Sequence, residues 1–251
     1  MVHNCNLRPL LKAIHMSSPI QKTQIEKTQA QLLKHHGGNG YQASLMIANS
    51  YDARHDRAFW QFWDEIVACH YQVGDAVLDL GAGIGQFVRD CANRYPESSV
   101  YGIDAATYMV NDAVTLPDNA KILMDDLNLP QAAIPENSLA MVMANNMVHE
   151  LTQPIKMFKA TYQWLKPGGR FCIIDPIRQP LQQQFDKAYS QKQLWGDETS
   201  VEALESAFEY FLEHNRYHAD DLIYLLESAG FKVVDNSTLL NGKFIRLVVE
   251  K

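Results

Sequence analysis

The sequence predicts an α/β protein in which short buried strands alternate with helices, and three observations carry that reading. Val77-Leu78-Asp79-Leu80 reads as a buried strand, Gly81-Ala82-Gly83-Ile84-Gly85 as a turn, and Gln86 to Tyr95 as a helix. Val100-Tyr101-Gly102-Ile103-Asp104 repeats the pattern and again closes on an acid. Leu139-Ala140-Met141-Val142-Met143-Ala144 is nearly all apolar, as a central parallel strand should be. The 251 residues are enough for one large α/β domain.

Composition excludes several classes. Hydrophobic content of 47% and charged content of 20% fit a globular chain rather than a disordered one. A net charge of −7 without any Lys/Arg run argues against nucleic acid as a partner. No apolar run approaches the ~20 residues that a membrane span needs. Cys5, Cys69, Cys91 and Cys172 are scattered without a C-x-x-C pair, so reduced thiols and a cytoplasmic location are expected. Residues 1–40 read as a flexible N-terminal arm, with no acid before Glu26 and a break at Gly37-Gly38-Asn39-Gly40. Leu7 to Lys12 is mildly basic and apolar, but poor in Arg for a transit peptide, and Met16 is an alternative start.

The elements run in order along the chain. Asn49-Ser50-Tyr51-Asp52 reads as a polar loop able to fold over a ligand. Phe59, Phe62, Trp63, Ile66 and Val67 form the stripe of an amphipathic helix over His55–Cys69. The helix after the glycines ends before Pro96. A helix is expected from Ala105 to Val114, with Asp104 as its N-cap, as a ligand for paired hydroxyls, or as both. Lys121 to Met124 is the third strand, leading into Asp125-Asp126-Leu127-Asn128-Leu129-Pro130. A helix over Thr152–Leu165 precedes Lys166-Pro167-Gly168-Gly169 and a fifth strand ending at Asp175. Residues 176–218 depart from a minimal fold and read as a helical lid insertion. In it, Thr199 and Glu202 have capping-box spacing, Val201, Leu204, Phe208 and Phe211 mark a buried face, and Phe185, Tyr189 and Trp195 fall in a second helical piece. Glu198, Glu202, Glu205, Glu209 and Glu213 form a solvated acidic face. The chain closes with a helix striped by Leu222, Leu225, Leu226 and Ala229, a strand from Phe231, and a reversed strand over Phe244–Val249.

The glycine turn defines a ligand class. Glycines recur where backbone must approach a ligand or adopt positive φ, and the helix start beyond them presents free N–H groups. A dinucleotide fingerprint would place its last glycine where Gln86 stands. Asp79, two residues before the first glycine, would repel a pyrophosphate but suits a ligand carrying an ammonium and a sulfonium. This D-x-G-x-G-x-G stretch resembles the first motif of class I S-adenosylmethionine (SAM) dependent methyltransferases, and the LKPGG turn at 165–169 strengthens the likeness. The resemblance covers roughly Tyr51 to Lys251. It implies a Rossmann-like class I methyltransferase fold, a seven-stranded mostly parallel sheet with a final antiparallel strand, over residues 41–251.

It also implies S-adenosyl-L-methionine as methyl donor, with S-adenosyl-L-homocysteine as product. Asp79, Gly81, Ala82, Gly83 and Gly85 would line its amino-acid end. Asp104 would accept from the ribose hydroxyls, with Ala105 and Met109 beside it. Asp125 would accept from the adenine amino group, with Asp126 as competitor and Leu127 and Asn145 nearby. Tyr51, Asn146, His149, Asp175, Tyr189 and Trp195 are the substrate-side candidates, Asp175 through an amine. His149 and Glu150 are the catalytic candidates, because an imidazole suits proton removal at neutral pH and a carboxylate can orient it. An H-E pair at this place resembles ubiquinone/menaquinone-type members of the family, so His149 either acts as base or orders the loop. His214 and His218 have i, i+4 spacing without an evident third ligand, so they read as surface histidines and no metal is expected. No Asn/Asp-Pro-Pro-aromatic motif of amino-group methyltransferases comes after the fourth strand, which favours a small-molecule acceptor. An RNA or protein methyltransferase, a non-catalytic SAM-binding partner protein and a nicotinamide-dependent oxidoreductase are the alternatives. A homodimer stays open.

Overall fold

The computed structural model describes residues 19–190 and 199–251. Seven strands form one sheet in the order β3-β2-β1-β4-β5-β7-β6. They are β1 (Ala76–Leu80), β2 (Val100–Asp104), β3 (Ala120–Met124), β4 (Leu139–Asn145), β5 (Leu165–Pro176), β6 (Lys232–Leu239) and β7 (Phe244–Glu250). Pairings from β3 through β5 are parallel, and only β7 runs against its neighbours β5 and β6. The fold expected from the sequence, including the reversed final strand, is present. The order turns back beside β1, so β1 and β4 flank the point where such sheets open a crevice at their carboxyl ends.

Central strands are apolar because helices cover both faces. β4 is buried from Leu139 through Ala144. One core layer gathers Leu78, Leu80, Phe158, Phe171 and Leu226, and the other Trp63, Phe87, Val88 and Cys91. Each such side chain, fully buried, contributes roughly 1.5–3 kcal/mol.

Several local expectations shift. The stripe after His55 begins as α3 (Arg57–Phe62), capped by Asp56, whose carboxylate accepts from Phe59 N at 2.9 Å. It then widens into a π-helical turn over Trp63–Val67. Helix α4 (Gln86–Arg94) comes after the glycine turn, whereas the helix after β2 shrinks to α5 (Thr107–Asn111). Helix α6 (Pro154–Trp164) leads straight into β5, so the LKPGG segment is a kinked strand start rather than a separate turn. Gly168 takes φ +74° there, and its N–H donates to Lys251 O.

The largest differences are N-terminal and in the insertion. Residues 19–35 form helix α1 (Pro19–His35), and Asn49–Asp52, expected as a loop, lie inside helix α2 (Gly40–Arg54). Gly37 and Gly38, both at positive φ, make the reversal between them, and Asn39 caps α2 by accepting from Gln42 N. The insertion contains α7 (Leu181–Ser190) and α8 (Val201–His214), with α9 (Ala219–Ser228) beyond. Ser200, not Thr199, caps α8 by accepting from Ala203 N. Of its expected buried face only Phe211 is buried, while Val201 and Phe208 are exposed. Trp195 and Glu198 lie outside the described residues, as do the side chains of Phe185 and Tyr189 and all of residues 1–18. Among the described residues no helix is long and apolar enough to cross a membrane.

Candidate active site

The carboxyl edge of β1, β2, β3 and β4 forms one wall of a pocket, and α1 and α2 form the other. Gly81 and Gly83 hold φ of +73° and +53°, conformations open to glycine without strain. A Cβ on Gly81 would stand 2.7 Å from Met147 Cβ, so this glycine also admits the turn after β4. The Gly81 and Ala82 N–H groups donate to Ile103 O, fixing the turn against β2.

Asp104 is not the N-cap of α5, a position Ala106 takes, and its side chain instead ties the glycine turn to the chain after β2. One carboxylate oxygen accepts from Ala106 N and the other from Gly83 N, each at 2.7 Å. Burial pushes its proton affinity up against those two bonds. Asp79 is 6% exposed, and burial together with the neighbouring Asp104 drives its carboxyl well above the usual range. Arg54, half-buried at the end of α2, opposes that rise only in part.

Asp125 folds back on its own loop, accepting from Gln131 N, Ala132 N and Asp126 N, and burial nevertheless raises it. Asp126 accepts from Asn128 N and from Thr28 Oγ1 of α1. Both acids line the pocket with Asp79, Gly81, Ala82, Gly83, Asp104, Ala105, Met109, Leu127 and Asn145. Gly85 does not. Its αL conformation opens α4, and a Cβ there would stand 2.7 Å from Ile122 Cδ1, so packing against β3 requires it.

Beyond β4 the chain turns sharply. Asn146 adopts φ +59° and its N–H donates to Ile174 O, a strained non-glycine position of the kind that clusters at functional sites. Asp175 holds the turn from Met147 to His149 in place. It accepts from Met147 N, Val148 N, His149 N and His149 Nδ1, at 2.8 to 3.0 Å, and is 1% exposed. Four donors saturate the carboxylate beneath the turn and outside the pocket lining, which corrects the expectation that it faces a substrate amine.

His149 and Glu150 do line the pocket. Burial alone would lower the His149 pKa, but Asp175 and Glu150 hold it up at about 10. Its Nδ1 faces Asp175 at 2.9 Å and its Nε2 faces Glu150 at 3.3 Å. Burial alone would raise Glu150, and its bonds to His149 and His35 reverse that to well below the ordinary carboxylate range. Arg216 Nη1 donates to both carbonyls of this His-Glu pair, adding a contact from beyond α8.

The sequence reading missed the α1–α2 wall. Thr28, Leu32, His36, Ile47, Arg54 and His55 all line the pocket. His36 Nδ1 lies 2.6 Å from Tyr108 Oη, and burial lowers His55 to about 4. Tyr51 reaches the pocket as expected, although its hydroxyl donates to Asp90 at 2.8 Å. Among the described residues, none from 176–218 lines it. His214 is no surface residue, because its side chain is 15% exposed against Glu150, whereas His218 caps α9.

A turn that lets backbone approach closely and buried acids facing one half-buried arginine together fit a ligand with a cationic end, and the fold is that of class I SAM-dependent methyltransferases. The chain belongs to the family described as "Methyltransferase domain", which it matches over residues 31–236. It is a SAM-dependent methyltransferase by that membership. A ubiquinone/menaquinone biosynthesis C-methyltransferase UbiE from Neisseria meningitidis is 27% identical over 215 residues, covering 78% of this chain and 84% of the relative. The protein of that name from Escherichia fergusonii is 26% identical over 211 residues, with the same coverages. In fold, the chain is similar to a methyltransferase in complex with the Trm112 activator of Haloferax volcanii (TM-score 0.57, 16% identity, 82% of this chain and 96% of that one). Geranyl diphosphate C-methyltransferase from Streptomyces coelicolor is also similar (TM-score 0.55, 12% identity, 77% of this chain and 81% of that one).

Proposed function

We propose that the chain methylates a small-molecule acceptor that enters the pocket beside the turn from Asn145 to Glu150. The observation that carries this reading is the wall formed by α1 and α2 opposite the strand ends, which narrows the pocket toward the size of a small acceptor. The net charge of −7 and the relatives named for ubiquinone/menaquinone biosynthesis support the same reading. Asp104 holds the ribose hydroxyls, and Asp125 with the Asp126–Leu127 backbone holds the adenine. Asp79 receives the amino group and Arg54 the carboxylate of the donor, while Met109 and Ala105 pack on its flank. When bound, SAM supplies a methyl group on a sulfonium, open to displacement in line, a geometry whose alignment is worth roughly 7–11 kcal/mol.

His149 serves as an organiser rather than a base in this reading. With both nitrogens against carboxylates and a pKa of about 10, it carries its proton at neutral pH. The acceptor therefore arrives already nucleophilic, or loses its proton after attack. A screen of S-adenosylhomocysteine release tests this, using a size-filtered metabolite extract against the RNA and protein fractions. Release in the small-molecule fraction is the expected result. Release only with RNA or protein would overturn the substrate class, and SAM binding without release from any fraction would overturn the reaction.

A further inference from the structure

Behind the pocket wall, three elements distant in sequence bring imidazoles onto one carboxylate. His35 ends α1, Glu150 sits in the turn after β4, and His214 ends α8. His35 Nδ1 lies 2.6 Å from Glu150 Oε2, and His214 Nε2 lies 3.5 Å from Glu150 Oε1. One ligand atom from each of the three residues falls within 4.8 Å of the others. Each histidine has its second nitrogen engaged by an orienting acceptor. His35 Nε2 is 2.7 Å from Glu213 Oε2, and His214 Nδ1 is 3.0 Å from the Tyr210 carbonyl. That second bond fixes the tautomer of His214. With Nδ1–H given to Tyr210, Nε2 is the nitrogen directed at the Glu150 carboxylate.

We propose that His35, Glu150 and His214 form a binding site for a divalent transition-metal ion, Zn2+ by its donor set, which ties α1 and α8 to the turn that walls the pocket. Two imidazole nitrogens and a carboxylate are ligands that Zn2+ takes in tetrahedral sites, leaving a fourth position for water. Ligand atoms on such an ion stand about 3.3 Å apart at bond lengths near 2.0 Å, so from separations of 2.6 Å, 3.5 Å and at most 4.8 Å here the side chains need small adjustments to close on an ion. Carbonyl and carboxylate acceptors on the far nitrogens are the usual outer partners of zinc-bound histidines. Imidazole ligands bind a metal ion in deprotonated form, so uptake of the ion weakens as pH falls. His149 stays bonded to Asp175 and is not a ligand. The Lys34–Glu209 pair on the same two helices lies more than half exposed and plays no part.

The test is titration of the untagged, metal-free full chain with Co2+ and then with Zn2+. The expected result is the intense visible absorption of tetrahedral Co2+, displaced by one equivalent of Zn2+. His35→Gln and His214→Gln should each weaken Zn2+ by at least about tenfold, and Glu213→Gln by about 10–100-fold. His70→Gln, at an exposed histidine elsewhere, should leave affinity unchanged. Unaltered SAM affinity in the variants certifies that they fold. Absence of binding, or Zn2+ affinity that survives both histidine substitutions in folded protein, would overturn the proposal without touching the methyltransferase reading.

Discussion

Two groups of acids sit in or behind the walls of this pocket, and their electrostatics are opposite. On the glycine-turn side burial raises both Asp79 and Asp104, and Asp79 is raised further by the charge of Asp104 and offset in part by Arg54. On the far side, Glu150 faces His35, His149 and His214, and Asp175 receives four donors. The first group is offset only in part, by Arg54, and the second is internally satisfied. A buried charge left unpaired is costly unless its proton stays or a partner arrives. The difference teaches that one wall is built to receive a cationic ligand and the other to keep its own shape.

The largest way to break the contrast is on the satisfied wall. Asp175→Ala orphans three backbone N–H groups and a protonated His149, so a loss of about 3–5 kcal/mol is expected in denaturant unfolding. On the unsatisfied wall, Asp104→Ala should weaken SAM at least tenfold by calorimetry, since each bond to a charged group is worth roughly 1.5–3 kcal/mol. Gly81→Ala should weaken SAM and destabilise the turn through Met147, whereas Gly85→Ala should cost stability through Ile122 with less effect on binding.

The smallest effect is a pH slope. His149 has its pKa raised on folding, so its contribution to stability is complete below about 6.5 and fades as pH rises through about 10. Across that window the melting temperature of wild type should fall more steeply than that of His149→Gln. Parallel curves would show that His149 is not held as an imidazolium.

The two walls also differ in how legible they were. Asp79, Gly81, Gly83 and Asp104 belong to strands and turns whose pattern is local, so spacing alone marks them. Helices α1 and α2 and the turn after β4 depend instead on contacts across the chain. Asn49-Ser50-Tyr51-Asp52 carries turn-forming side chains, yet burial of Ala43, Ser44 and Tyr51 holds the segment helical. Helix α1 shows no clear apolar stripe, and what binds it is Thr28 on Asp126 and His35 on Glu150 and Glu213. Asp175 stands at a strand end like Asp79 and Asp104, but its side chain turns beneath Met147–His149 instead of into the pocket. Arg54, at the end of α2, is the sequence signal for that wall, and its meaning depends on Asp79 beside it in the fold.

Calorimetry of SAM binding in buffers of different ionisation enthalpy tests the central contrast most directly. Because burial raises Asp79 in the free protein and a cationic ligand favours its ionised form, binding should release protons and tighten as pH rises, and Asp79→Asn should abolish that release. Binding with no proton exchange, or with the same exchange in Asp79→Asn, would contradict the account.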